Sequence, residues 1–209
     1  MLPDVPPART APTGLGLATV VVAGAVALVQ VVRALAALEA RRVRDAAVEV
    51  GADPALLTTT YDVVSHVSAP LLVIAWVVGC LWLQRARDNA ELISPGVRQR
   101  RQAGWVWLGW FIPFANVWVP YQVVGDVQRA SVPAERRVGL GWWWAAWLLF
   151  LVLPLPLESG DWTADADLAD LLPAFEGLAA VAAVAAAVLW GRVVLRVTLA
   201  QETALPAGA

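Results

Sequence analysis

The chain has 209 residues, of which 59% are hydrophobic and only 15% are charged, and its formal net charge is −2. A soluble domain carries about 25% charged residues, so this composition excludes an ordinary soluble protein and indicates an integral membrane protein. The single cysteine excludes an intrachain disulfide and a cysteine-ligated structural metal site, and the single histidine excludes the usual zinc spacings. We expect no metal, no cofactor and no nucleic-acid partner.

Hydrophobic runs of the length that crosses a bilayer, about 20 residues each, recur along the chain. They predict four transmembrane helices, at about 13–38, 63–84, 138–157 and 171–191. A secretory signal is the competing interpretation of the first run, whose apolar part is too long for a typical signal core. A short tail, 198–209, follows the last run.

The residues between the first two runs predict a helical hairpin that extends beyond the bilayer. Gly51 suits the position just after a helix, while Asp53 suits an N-cap and Pro54 the first residue of the next helix. The second helix is therefore predicted to begin at Pro54. We expect residues 39–62 to form an extramembrane hairpin tip.

Residues 102–125 form an uncharged, tryptophan-rich segment between the second and third predicted spans. Pro113 and Pro120 each remove a backbone donor, and Asn116 adds a polar side chain between them. Because every backbone polar group inside a bilayer must be satisfied within the protein, an unbroken transmembrane helix is disfavoured here. The segment predicts a broken helix buried in protein or a re-entrant or interfacial element.

The positions of the arginines favour the re-entrant interpretation. All fifteen basic residues are arginines, and short cytoplasmic loops are enriched in such residues. If 102–125 returns to the side from which it came, most arginines lie in the cytoplasm, Arg9 included. If 102–125 instead spans the bilayer, the arginine-rich loop 85–101 lies on the outer side of the membrane. We therefore predict both termini in the cytoplasm and a multi-pass protein of the plasma membrane.

The acidic loop before the last run was considered as a calcium site. Asp165, Asp167 and Glu176 occupy positions 1, 3 and 12 of an EF-hand-like frame, but Asp170 stands where that loop requires glycine. An EF-hand is rejected. Pro173 and Glu176 instead suit the first turn of the last helix, where an acidic side chain is favourable.

Two constellations are candidate ligand or structural sites, and both also have a structural explanation. The first follows the break: its residues could line a pocket in a small transporter-like protein, or Asn116 could cap the returning helix. The second ends the second helix, where arginines could clamp phosphate or an acidic partner, or complement the helix dipole and anionic lipid. The candidate residues are Pro113, Asn116, Pro120, Tyr121, Gln122, Arg85, Arg87 and Asn89.

The order of these residues resembles a known family. The resemblance rests on Arg85-Ala86-Arg87-x-Asn89, Gly104-Trp105, Trp110-x-x-Pro113-x-x-Asn116-x-x-x-Pro120-Tyr121-Gln122, Arg129-Ala130-Ser131 and Trp142-Trp143. The string is similar to that of the bacterial, largely actinobacterial, membrane family named domain of unknown function 4328. The resemblance implies a multi-span membrane protein and supplies no activity. Members of that family often carry arginine where this chain has Asp88.

The predicted fold class is all-α: one integral membrane helical bundle over 1–209, with four transmembrane helices and a Trp-rich segment broken by proline and asparagine. No nucleophile–base pair or metal set is visible, so no catalytic residue is assigned and the protein is expected not to be an enzyme. We expect it to act through anionic lipid at the cytoplasmic arginine loops or through a protein partner. The alternative is a small transporter-like or ligand-binding protein whose site is at 113–122.

Overall fold

The computed structural model describes residues 10–158 and 160–205, and every regular element within them is a helix. The all-α prediction is confirmed. Arg9 and the last tail residues, 206–209, lie outside the described residues. The α-helices are α1 Thr13–Glu49, α2 Thr60–Ile93, α3 Trp105–Leu108, α4 Val119–Ser131, α5 Leu140–Val152, α6 Leu155–Glu158 and α7 Ala166–Ala204.

Four stretches of the described chain are long and apolar enough to cross a membrane: α1, α2, Leu140–Leu157 and α7. Each overlaps one of the four predicted spans, whose bounds stay predictions, and residues 102–125 contribute none. The helices α1, α2 and α7 have 37, 34 and 39 residues. At about 1.5 Å per residue, each exceeds the roughly 30 Å thickness of a bilayer core.

The turn after α1 has the predicted residue chemistry. Gly51 has a positive φ of 72°, a conformation that favours glycine and ends helices. The side chain of Asp53 accepts a hydrogen bond from the backbone N–H of Ala55 at 3.0 Å, as expected of an N-cap. That the loop lies outside a bilayer stays a prediction.

The predicted start of the second helix was wrong. Pro54 begins only a three-residue 3-10 turn, and α2 starts at Thr60. The reason is a stronger cap further along the chain. The carboxylate of Asp62 accepts hydrogen bonds from both the backbone N–H and the hydroxyl of Thr59, each at 2.8 Å, and so fixes the first turn of α2.

The predicted start of the last helix was also wrong, because α7 begins at Ala166. Asp165 caps it: one carboxylate oxygen accepts the backbone N–H of Asp167 at 2.9 Å. Pro173 therefore lies inside the helix. Glu176 is not a first-turn residue but a fully buried one, and the consequence is described below.

The described chain forms two compact units. The first comprises the described residues up to Val20, Val77–Leu140 and those from Gly191 onward. Among its largest fully buried apolar side chains are Trp82, Leu83, Val106, Val119, Val123, Val124, Val127, Val193 and Val194. The single membrane domain expected over 1–209 stays a prediction.

Polar contacts order the core of the first unit. The indole N–H of Trp82 donates to the hydroxyl of Thr198 at 3.0 Å. Gly16 leaves room for this pair, because a Cβ there would lie 2.9 Å from the Thr198 hydroxyl oxygen. The buried thiol of Cys80 donates to the carbonyl of Val106 at 3.3 Å and thereby connects α2 with α3.

The second unit comprises Val21–Trp76 and Gly141–Trp190. Small residues allow its helices to approach closely, as is usual where helices associate in membranes. One buried cluster consists of Ala36, Ala37, Ala40, Tyr61, Leu157 and Leu172, and a second of Phe150, Ala182 and Ala183. The rings of Trp143 and Trp190 stack with centroids 4.8 Å apart.

Candidate functional site

Residues 102–125 do not form one helix. After α3 the chain turns, resumes as a 3-10 turn over Ala115–Val117, and becomes helical again in α4, where Pro120 occupies the first turn. A proline there interrupts no hydrogen bond, because the N–H groups of a first turn have no helical partner. The predicted break is present in the backbone. Entry of the segment into a bilayer stays a prediction.

The centre of the break is a strained turn. The backbone N–H of Ala115 donates to the carbonyl of Pro113 at 2.8 Å and closes a γ-turn around Phe114. Phe114 has φ 65° and ψ −43°, which is costly for any residue with a side chain, by about 1–3 kcal/mol. Because the Phe114 side chain is 79% exposed, packing in a core does not impose this conformation.

The turn carries an exposed apolar surface. We name residues Leu108–Trp118 the apolar tip, because its large hydrophobic side chains are exposed. They are Leu108, Phe111, Ile112, Phe114, Val117 and Trp118. This surface lies outside the four membrane-length helices, so their lipid contact does not explain it. Exposed patches of this kind mark interaction sites.

The candidate residues of the break have different environments. Pro113 and Asn116 are exposed on the apolar tip, whereas Pro120 is buried. Asn116 does not cap the returning helix, since the N-cap of α4 is Trp118 and no side-chain hydrogen bond forms there. Tyr121 is 36% exposed.

Arg87 and Gln122, predicted as parts of two separate constellations, are linked through Arg101. The guanidinium of Arg87 donates to the carbonyl of Arg101 at 2.5 Å. The guanidinium of Arg101 donates to the side-chain oxygen of Gln122 at 3.0 Å. Arg87 also pairs with Glu91 at 3.1 Å, while Arg85 is half-buried. The arginine loop therefore anchors α4.

A buried carboxylate, which no motif in the sequence indicated, completes this anchorage. Asp126 is 1% exposed, and its two oxygens accept the backbone N–H and the side-chain Nε of Arg100, each at 2.8 Å. Arg129, one turn along α4, pairs with the same carboxylate. Two arginine side chains are thus held in place by one acid.

Asn89 belongs to a buried hydrogen-bond network whose centre is Gln201. The side-chain N–H groups of Gln201 donate to the carbonyl of Ala86 at 2.7 Å and to the hydroxyl of Ser131 at 2.8 Å. Its oxygen accepts from the amide of Asn89 at 3.2 Å, and the same amide donates to the carbonyl of Thr10. Gln201 and Asn89 are both fully buried. Two parts of the motif string therefore meet through a glutamine outside it.

A second buried polar cluster, which no pattern in the sequence indicated, lies in the second unit. The carboxylate of Glu176 forms an ion pair with the guanidinium of Arg33 at 3.0 Å. It also accepts hydrogen bonds from the hydroxyl of Tyr61 at 2.8 Å and from the amide of Gln30 at 2.7 Å. Arg33 also donates to the Tyr61 oxygen at 2.9 Å. All four residues are less than a tenth exposed. The cluster connects α1, α2 and α7.

The acidic residues of the loop before α7 and of the start of α7 have local hydrogen-bond or ion-pair partners. Hydrogen bonds from the hydroxyl and the backbone N–H of Thr163 lower the pKa of Asp161. Asp165 caps α7, and Asp170 pairs with Arg41 at 2.7 Å. Within 10–158 and 160–205, no group of three His, Cys, Asp or Glu residues is placed to hold a metal ion.

These features define a class: a helical membrane protein with four membrane-length helices and a broken, arginine-anchored segment between the second and the third. The family Domain of unknown function (DUF4328) matches residues 55–199, which is more than half of the chain, so the chain belongs to that family. The predicted family is confirmed. No curated protein and no solved structure is significantly similar to the chain.

Proposed function

We propose that the protein is a non-enzymatic, multi-pass protein of the plasma membrane that acts through lipid contacts of its broken segment. The observation that carries the proposal is the position of the apolar tip directly beside the arginines that anchor α4. Exposed apolar side chains next to basic ones suit the boundary between acyl chains and anionic headgroups. The competing hypothesis is that a partner protein, rather than lipid, covers the apolar tip, and the experiments below distinguish the two.

The alternative hypothesis is a ligand site at 113–122. Such a site needs convergent polar groups within a concave pocket. Asn116 and Pro113 are exposed on the apolar tip rather than enclosed. The exposure of these two residues favours the lipid-contact proposal over this alternative.

A spin label at position 114 tests the lipid contact. With Phe114→Cys in lipid nanodiscs, we expect the label to collide more often with oxygen, which concentrates in the acyl layer, than with a water-soluble nickel chelate. A label on Gly96→Cys, in the exposed turn after α2, should show the opposite preference. Equal exposure of both labels to the chelate would rule out insertion of the tip.

Accessibility of single cysteines tests the topology. The proposal places both termini in the cytoplasm and returns residues 102–125 to the side from which they came. Gly96→Cys and Glu135→Cys, both at exposed positions, should then react with a membrane-impermeant maleimide from the cytoplasmic side only. Labelling of the two positions from opposite sides would contradict the proposal. Ser131 is unsuitable for this purpose, because it is buried and bonded to Gln201.

A further inference from the structure

Three guanidinium groups and one carboxylate lie together at one side of α4. Asp126 pairs with Arg100 and Arg129. Arg137 instead donates to two backbone carbonyls, those of Arg129 at 3.1 Å and Val132 at 3.0 Å. Carbonyl groups neutralise no charge. One acid is therefore paired with two of three permanent positive charges, and the cluster keeps an excess of positive charge.

The chain holds two of these guanidiniums side by side. Gly125 has no side chain, and a Cβ at this position would lie 3.5 Å from Nη1 of Arg129 and 3.7 Å from Nη2 of Arg100. The buried carboxylate of Asp126 fixes both groups, while their side chains remain 41% and 44% exposed. Two oriented guanidiniums thus keep surface available for a ligand.

The electrostatic environment of Arg129 agrees with an excess of positive charge. Partial burial lowers its pKa, and the nearby positive charges of Arg100 and Arg137 lower it further. Arginine remains protonated at any physiological pH. The positive charges of Arg100 and Arg137 therefore act on Arg129 at every physiological pH.

We propose that Arg100, Arg129 and Arg137 bind the phosphate of an anionic phospholipid headgroup. Guanidinium groups present paired N–H donors that match the oxygens of a phosphate, and such charge-assisted bonds are strong. The inference deepens the proposed function and rests on it, because the same segment supplies the contact with the acyl chains.

The position of the apolar tip identifies a lipid rather than free phosphate as the ligand. Arg100 donates to the carbonyl of Gln122 at 3.2 Å, and the backbone N–H of Gln122 donates to the carbonyl of Trp118 at 3.0 Å. Arg100, at the near end of the cationic cluster, thus contacts a carbonyl one helical turn, about 5.4 Å, beyond the end of the apolar tip, while Arg129 lies further along α4 and Arg137 beyond its end. An amphiphile with a phosphate next to acyl chains matches this spacing.

Native mass spectrometry of the detergent-solubilised full chain tests the site, with phosphatidylglycerol and phosphatidylcholine as the probes. The wild type should bind phosphatidylglycerol more tightly. Arg137→Gln should weaken that binding about fivefold, the effect of one basic residue near a lipid surface. The matched control is Arg136→Gln, the exposed neighbour in the same turn, for which we expect less than a twofold change.

Equal losses in the two variants would indicate a diffuse basic surface and overturn the discrete site. If Arg137→Gln does not fold, Arg137→Lys is compared with Arg136→Lys: only the former should lose affinity, because lysine lacks the planar guanidinium. Soluble glycerol phosphate at equal concentration should not displace phosphatidylglycerol. Displacement would overturn the assignment to a lipid.

The outcome is separable from that of the proposed function. Insertion of the label at position 114 without any preference for phosphatidylglycerol would overturn the headgroup site alone. A label at position 114 that stays in water would overturn the proposed function, whatever the lipid preference.

Discussion

Replacing Glu176 with leucine is expected to lower the free energy of unfolding by about 3–5 kcal/mol, the usual effect of removing one partner of a buried ion pair. The change leaves the Arg33 guanidinium, in the interior of the second unit, without its carboxylate. It also removes the acceptor of the Tyr61 hydroxyl and of the Gln30 amide. Unfolding of the purified protein in detergent with increasing dodecyl sulfate measures the loss.

Two further variants show whether burial causes the effect. The double variant Glu176→Leu, Arg33→Met removes both charges, and it should recover most of the lost stability. Asp170→Asn breaks another α1–α7 pair, that of Arg41 with Asp170, whose side chains are 41% and 64% exposed. It should cost less than about 1 kcal/mol. A double variant as unstable as Glu176→Leu would contradict the explanation.

Gln201→Leu is expected to destabilise the first unit strongly. It removes three hydrogen bonds of the buried Gln201 side chain, with the carbonyl of Ala86, the hydroxyl of Ser131 and the amide of Asn89. Each such hydrogen bond contributes about 1 kcal/mol to stability. We expect a total loss of about 3 kcal/mol in the same unfolding experiment.

The neighbouring residue provides the control for this prediction. Glu202 is exposed, so Glu202→Leu changes the charge and size of a side chain at the same end of α7 without disturbing the network. It should shift stability by less than about 0.5 kcal/mol. If Gln201→Leu were equally mild, the network around Gln201 would not stabilise the fold.

Features that depend on neighbouring residues could be predicted from the sequence. Uncharged runs located the four membrane-length helices, and Gly51 and Asp53 identified the turn after α1. The prolines identified the break in 102–125. The helix starts at Pro54 and near Pro173 were wrong, because proline is only permissive at a helix start. The carboxylates of Asp62 and Asp165 provide the hydrogen bonds that decide where α2 and α7 begin.

Contacts between residues far apart in the chain have no local sequence pattern from which they could be predicted. Arg33 lies within the first predicted span and Glu176 was predicted as a first-turn acid, and no local pattern indicates that they meet. Gln201 lies beyond the family match and has no motif of its own. Asn116 was a candidate site residue because it is a polar residue between prolines, yet it is exposed. Asn89, by contrast, is fully buried. Burial, which sequence spacing did not reveal, distinguishes the two asparagines.

The environment of Cys80 has a practical consequence for chemical labelling. Its thiol is 1% exposed and bonded to the carbonyl of Val106. A buried thiol of this kind is chemically inert, and the chain has no other cysteine. The folded wild-type protein therefore offers no reactive thiol to maleimide reagents. A fluorophore or spin probe would attach only where a cysteine is introduced, with the native core left unaltered.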